Sequence, residues 1–150
     1  MKLLIPPPVL GLLSGAAIWG LAKLIPGLTL SFPGQIFVAI PIMAAGFSID
    51  VISIFAFFRA STTVSPIKPS RASSLVTGGL YRFTRNPMYL GLALLLFGWV
   101  IWLGNPLGLL VLAGFIAWMT VFQIKPEEAA LKEFFGEEYE AYRARVRRWL

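Results

Sequence analysis

The chain has 150 residues, of which 57% are hydrophobic and 13% charged, and its formal net charge is +6. The hydrophobic share exceeds that of ordinary soluble domains, and residues 24–58 and 86–124 hold a single charge between them, Asp50. Each of these segments is long enough for one or two spans of about 20 residues. The composition therefore excludes a soluble domain and predicts an all-α integral membrane protein.

Cysteine and histidine are both absent from the sequence. Disulfides, thiol chemistry and a histidine-ligated metal are therefore excluded, and we predict no metal site. The basic excess could indicate nucleic acid, but five basic residues and no acid lie within residues 59–86. In so apolar a chain, this asymmetry indicates membrane topology, so we predict no nucleic-acid partner.

We predict a single domain, residues 1–150, with four spans at roughly 9–25, 35–58, 87–103 and 107–124. The N-terminal apolar run lacks a small-residue cleavage site, which favours a retained first span. Pro41 should kink the second span, whereas Pro87 falls in the first turn of the third, where its missing N–H is harmless.

A short uncharged turn, residues 104–106, makes the third and fourth spans antiparallel neighbours. The basic loop of residues 59–86 then sets the orientation, because cytoplasmic loops carry an excess of lysine and arginine. We expect this loop and both termini in the cytoplasm and the 104–106 turn outside.

From Pro126 onward, apolar residues recur every three or four positions, namely Leu131, Phe134, Phe135, Tyr139, Tyr142, Val146 and Trp149. This spacing predicts an amphipathic helix with a possible break at Gly136. The segment is too charged to span, so we expect it to lie at the cytoplasmic interface.

Two polar clusters flank the last two predicted spans. The first is the run LVTGGLYRFTRNPMYLG at 75–91, and the second is Pro126-Glu127-Glu128. If the third and fourth spans form an antiparallel helical hairpin, the Glu127 and Glu128 carboxylates lie on the same side of the membrane as Arg85. We therefore predict one site built from residues 73–91 and 123–148.

Simpler explanations exist for the same residues. Acids in a first helical turn meet the helix dipole favourably, as would the basic residues of 143–148 at the other end. Arg82 and Arg85 could act only as topology determinants. Asp50 lies inside a span, where acids are functional by default, although it could instead pair with Arg59.

The motifs together resemble the isoprenylcysteine carboxyl methyltransferase and phospholipid methyltransferase superfamily of membrane enzymes. The matching parts are LVTGGLY at 75–81, RNPMYLG at 85–91 and, after two spans, Glu127-Glu128 followed by FFG at 134–136. The resemblance covers about residues 60–148.

The resemblance implies a methyl transfer from S-adenosylmethionine (SAM) to a lipophilic acceptor, with S-adenosylhomocysteine as the product and the site facing the cytoplasm. The implied cofactor-binding residues are Ser73, Ser74, Leu75, Val76, Tyr81, Asn86, Pro87, Met88, Tyr89, Glu127 and Glu128. The candidate catalytic residues are Arg85, Asn86, Tyr89 and Glu127. The candidate substrate-binding residues are Gln123 and Asp50.

Two positions depart from the eukaryotic members of that superfamily. Asn86 stands where they carry histidine, and Gln123 stands where they carry a substrate-binding arginine. The second change makes a prenylcysteine carboxylate a doubtful acceptor. Two other functions remain open: a sterol-reductase-like enzyme using NADPH, and a four-span transporter with Asp50 as its coupling acid.

The predicted topology can be tested with reporter fusions. A reporter inserted at Asn105 should be external and one fused after Leu150 cytoplasmic, because the positive charges of the 59–86 loop keep that loop in the cytoplasm. Accessibility to a membrane-impermeant reagent in intact cells measures both. Two reporters on the same side would contradict the four-span arrangement.

Overall fold

The protein is built from five α-helices, seen in a computed structural model that describes residues 5–59 and 75–150. The helices are α1 (Pro7–Leu24), α2 (Gln35–Arg59), α3 (Pro87–Leu103), α4 (Gly108–Trp118) and α5 (Lys125–Arg145). No β-strand occurs within the two described stretches. The prediction of an all-α membrane protein is confirmed.

Three helical segments are long and apolar enough to cross a membrane: Pro7–Leu24, Gln35–Ala56 and Gly108–Arg145. The apolar helix α3 is shorter, at 17 residues, which corresponds to about 25 Å. The first three predicted spans begin and end within two residues of α1, α2 and α3.

The fourth predicted span ends differently from the expectation. Helix α4 passes through a π-helical segment, Met119–Ile124, directly into α5. Since Lys125 continues an existing helix, α5 has no free N-terminus there, and the helix-start explanation for Glu127 and Glu128 loses its physical basis. The possible break at Gly136 is present, with φ 51° and ψ −121°.

Helices α2 and α3 pack with their backbones in close contact. A Cβ added at Gly46 would lie 2.7 Å from the carbonyl oxygen of Gly91, and one added at Gly98 would lie 3.0 Å from that of Ala39. Small residues permit this approach between membrane helices. Helix α2 continues through Pro41 without interruption. The contact places Asp50 against the start of α3.

Helices α1 and α4 support α3 from its other sides. Their shared core includes the buried residues Ile18, Leu96, Val100, Phe115 and Met119. At the far end, the buried Asn105 side chain donates to the Ile25 carbonyl at 3.1 Å and accepts from the Leu107 N–H at 3.1 Å. The 104–106 turn is therefore tied to α1, and α3 and α4 pack as neighbours, as the short turn predicted.

Candidate functional site

The loop before α3 is ordered by local backbone hydrogen bonds. Gly79–Arg82 forms a 3₁₀ turn, which Gly79 enters with φ 59°, a conformation available to glycine without strain. The Asn86 N–H donates to the Thr84 hydroxyl at 3.2 Å, and Pro87 follows as the first residue of α3. This loop delivers Arg85 and Tyr89 to the same end of α3.

Tyr89, Gln123 and Glu127 form the first polar group of the site. The Tyr89 hydroxyl lies 2.7 Å and 3.0 Å from the two carboxylate oxygens of Glu127. The Gln123 Nε2 donates to Glu127 Oε1 and to the Tyr89 hydroxyl, the latter at 3.3 Å. Gln123 is fully buried, inside the π-helical segment. The carboxylate of Glu127 is therefore held by neutral donors from two helices.

Glu128 is held instead by two arginines. Arg85 Nη2 lies 3.0 Å from Glu128 Oε1. Arg148 contacts the same carboxylate with two parallel bonds, Nε to Oε1 at 3.0 Å and Nη2 to Oε2 at 2.8 Å. The side chains of Arg85 and Glu128 are only 9% and 13% exposed. Bidentate, charge-assisted contacts of this kind are among the stronger hydrogen bonds in proteins.

The C-terminal tail returns to the loop before α3. The Arg85 N–H donates to the Arg147 carbonyl at 2.9 Å. The Arg148 carbonyl accepts from the Thr84 hydroxyl at 3.1 Å and from the Asn86 side-chain amide at 2.9 Å. The tail therefore fixes both the backbone and the side chains of the loop that carries Arg85.

Several polar atoms at the site have no partner among the described residues. They are Arg85 Nε, Arg85 Nη1 and Gln123 Oε1, and all three are buried. Leaving such groups unpaired costs about 1–3 kcal/mol each, and more for a charged group. A ligand that supplied acceptors to Arg85 and a donor to Gln123 would remove this cost.

The charges of the site also act on groups outside the spans. Hydrogen bonds from Arg148 to Glu128 raise the pKa of the Arg148 guanidinium. Burial raises the pKa of the Tyr81 hydroxyl, and the neighbouring Tyr142, Glu127 and Asp50 raise it further. Tyr81 therefore lies within electrostatic reach of both an α5 carboxylate and an α2 carboxylate.

Comparison with models of protein families shows which family the chain belongs to. The model of the phospholipid methyltransferase family matches residues 34–138, well over half of the chain. The chain belongs to the phospholipid methyltransferase family. The superfamily predicted from the motifs is thereby confirmed.

Curated relatives match parts of the chain. A protein-S-isoprenylcysteine O-methyltransferase of Schizosaccharomyces pombe is 36% identical over 95 residues, 61% of this chain and 40% of that protein. Protein-S-isoprenylcysteine O-methyltransferase B of Arabidopsis thaliana is 31% identical over 120 residues, 80% of this chain and 55% of that protein. The chain thus spans about half the length of these two methyltransferases.

A third relative is shorter than the chain. This uncharacterized protein of Haemophilus influenzae is 49% identical over 63 residues, which are 42% of this chain and all of that protein. No solved structure matches the chain significantly.

The structure brings most of the predicted site residues together at one end of α3. Ser73 and Ser74 lie outside the described residues. Leu75 packs on the cluster of Tyr139, Tyr142 and Val146 on α5 and its exit. The other predicted residues lie on the 75–86 loop, the first turn of α3 or the end of the long helix, namely Val76, Tyr81, Arg85, Asn86, Pro87, Met88, Tyr89, Gln123, Glu127 and Glu128.

Asp50 lies on α2, beside this group rather than within it. Its carboxylate sits against Gly91, where an added Cβ would collide with it. Asp50 forms no ion pair with any residue in 5–59 or 75–150, so the pairing with Arg59 is not found.

Arg148 is a site residue that the sequence pattern did not indicate. The basic residues 143–148 were expected to stabilise the C-terminus of the amphipathic helix, but α5 ends at Arg145 and Arg148 instead binds Glu128. One clue is the apolar Trp149 beyond the helix end, whose indole donates to the Thr120 hydroxyl at 3.1 Å. An apolar residue after the last helical turn can indicate a tail that folds back.

Replacing Arg148 tests how strongly the tail holds the site together. Arg148→Ala should lower the free energy of unfolding by about 1–3 kcal/mol, because it removes two charge-assisted bonds from a mostly buried carboxylate. Arg145→Ala is the control, since the hydrogen bond of Arg145 to the described residues goes to the Ala141 carbonyl of its own helix, at 3.2 Å. Denaturant unfolding in detergent measures both, and equal losses would contradict a specific role for Arg148.

Proposed function

We propose that the protein is an integral membrane methyltransferase that uses SAM to methylate a lipophilic acceptor and releases S-adenosylhomocysteine. The observation that carries this proposal is the ion pair of Arg85, from the loop before α3, with Glu128, beside the Glu127 carboxylate that Tyr89 and Gln123 hold. Membership of the phospholipid methyltransferase family supports it.

The unsatisfied groups of the site fit the polar ends of SAM. Its aminoacyl part offers a carboxylate and an ammonium, and its ribose offers hydroxyls. Arg85 has two buried nitrogens without a partner, which suit the carboxylate. Glu127 and the free Gln123 Oε1 are acceptors that suit the ammonium or the hydroxyls. Residues 75–81 and 86–89 would hold the remainder.

When bound, SAM supplies a methyl group on a positively charged sulfur. The protein's own contribution is then to align donor and acceptor and to keep water away. The Tyr89–Glu127 hydrogen bond joins α3 to the long helix and fixes the carboxylate that faces the ligand. The buried side chains of Tyr81, Pro87 and Gln123 exclude water around it.

The acceptor is proposed to enter sideways from the bilayer, with the site on the cytoplasmic face. The long apolar helices and the basic loop of residues 59–86 support this orientation. Two relatives carry isoprenylcysteine in their names, but Gln123 offers a neutral amide where a carboxylate acceptor would be bound best by arginine. We therefore favour a neutral or amine-bearing lipophile.

The two alternatives predict different ligands. A sterol-reductase-like enzyme would bind NADPH, and a transporter would bind neither cofactor. The family and the Arg85–Glu128 site favour SAM. Equilibrium binding of SAM and of NADPH to the purified protein separates the three, and NADPH binding without SAM binding would overturn the proposal.

Glu127→Gln tests the cofactor role of the first carboxylate. The change keeps the size of the side chain but removes the charge that attracts an ammonium, a contribution of about 1.5–3 kcal/mol. SAM affinity should fall roughly ten- to a hundredfold with the fold intact, measured by calorimetry and thermal unfolding. Glu137→Gln, at an exposed position of α5, is the control and should change little. Unchanged affinity in Glu127→Gln would remove Glu127 from the cofactor site.

Gln123→Arg tests the choice of acceptor. The wild type should turn over a prenylcysteine carboxylate poorly, and the arginine should improve turnover at least tenfold, because a guanidinium binds a carboxylate with two charge-assisted bonds. Methyl transfer from labelled SAM to a prenylcysteine analogue measures this. Efficient wild-type turnover without improvement in the variant would show that Gln123 does not determine acceptor choice.

A further inference from the structure

Asp50 is an acid inside an apolar helix, and it has no cationic partner within residues 5–59 and 75–150. Its Oδ1 is buried and has no hydrogen-bond partner among the described residues. The arginines nearest the site, Arg85 and Arg148, are both engaged with Glu128. A carboxylate within a membrane span is expensive, and such residues generally pair with a cation or serve a pathway for substrate or protons.

Asp50 lies on a helix that packs next to the site containing Glu127. The 3₁₀ turn that carries Tyr81 packs against α2, the helix of Asp50. Burial raises the pKa of the Tyr81 hydroxyl, and Glu127 and, least of all, Asp50 raise it further. Asp50 therefore belongs to the surroundings of the site, although the Tyr89–Gln123–Glu127 hydrogen bonds do not include it.

Asp50 and the arginines lie at different positions along the axis of α3. It contacts α3 at Gly91, four residues after Pro87 and so about 6 Å along the helix axis. Arg85 and Glu128 lie before or beside the start of α3. A lipophilic acceptor anchored in the bilayer would meet Asp50 with its head group, while its tail remained among the apolar spans.

We propose that Asp50 is the catalytic base of the acceptor site, where it binds a cationic amine head group and takes a proton from its nitrogen. The juxtaposition behind this proposal is a carboxylate that contacts Gly91 of α3, on a helix that packs against the Tyr81 turn, and whose buried Oδ1 has no partner in the described part of the chain. The inference rests on the proposed function. It assigns to Asp50 a chemical task that Glu127 and Glu128, engaged with their own partners, do not perform.

The chemistry requires such a base because an ammonium has no lone pair to offer. Asp50 accepts one proton from the ammonium nitrogen and becomes a neutral carboxylic acid. The freed nitrogen lone pair forms the new N–C bond as the C–S bond of SAM breaks, and the sulfur keeps that electron pair. The products are a methylated ammonium and neutral S-adenosylhomocysteine, and the proton leaves Asp50 to water.

The first test measures binding of the acceptor without donor. The probe is a long-chain alkylamine presented in detergent micelles to the cofactor-free protein. Asp50→Asn keeps the shape but not the charge, so affinity for the protonated amine should fall at least tenfold. Affinity for SAM, measured separately, should stay unchanged. Equal alkylamine affinity in wild type and variant would overturn the inference.

The second test compares two acceptors in the methyl-transfer assay. One is the alkylamine, and the other is a lipid of equal chain length whose amine is already neutral at the assay pH. Asp50→Asn should lower turnover of the alkylamine by roughly a hundredfold or more, the usual contribution of a general base, and should affect the neutral amine far less. Ser53→Ala is the control, because the Ser53 hydroxyl donates to the Ile49 carbonyl of its own helix, at 2.6 Å.

The possible outcomes distinguish the inference from the proposed function. Unchanged alkylamine turnover in Asp50→Asn, or an equal loss with both amines, would overturn the role of Asp50. If the protein still bound SAM, the proposed function would remain supported. A wild type that bound SAM but methylated neither amine would also overturn it. A wild type that failed to bind SAM would overturn the proposed function, and the inference with it.

Discussion

The site depends on Glu128 being held between Arg85 and Arg148. These three groups come from the loop before α3, the start of α5 and the C-terminal tail, and the carboxylate is mostly removed from solvent. Removing Glu128 would leave both guanidiniums uncompensated, which costs more than an exposed ion pair contributes. The tail also accepts hydrogen bonds from Thr84 and Asn86, so loop, helix and tail stabilise one another.

The neighbouring carboxylates Glu127 and Glu128 have separate tasks because consecutive helical residues point about 100° apart. Glu128 faces the two arginines and serves to assemble the site. Glu127 faces α3, where the neutral Tyr89 hydroxyl and Gln123 amide donate hydrogen bonds to it. The π-helical segment before Glu127 carries Gln123 on the same face.

The close packing of α2 on α3 brings a third acid, Asp50, beside the site. Glycines at 46, 91 and 98 allow the two backbones to approach, and the space at Gly91 is what admits the Asp50 carboxylate. A side chain at position 91 would exclude it. The same interface thus joins α2 to α3 and brings a carboxylate of α2 near the Tyr81 turn, which packs on α2.

The sequence by itself determined the all-α membrane class and the family. It also predicted the residues that the structure brings together at one end of α3, and three helices within two residues of their observed bounds. It did so because uncharged runs, prolines and short turns act locally, and because the motif spacing is specific. Only the tertiary structure decided the fusion of α4 with α5 through a π-helical segment, the partners of Glu127 and Glu128, and the return of Arg148. The return of Arg148 and the contact of Glu127 with Tyr89 depend on residues 20 to 64 positions apart in sequence, as in Arg148–Glu128 and Thr84–Arg148, which no local periodicity encodes.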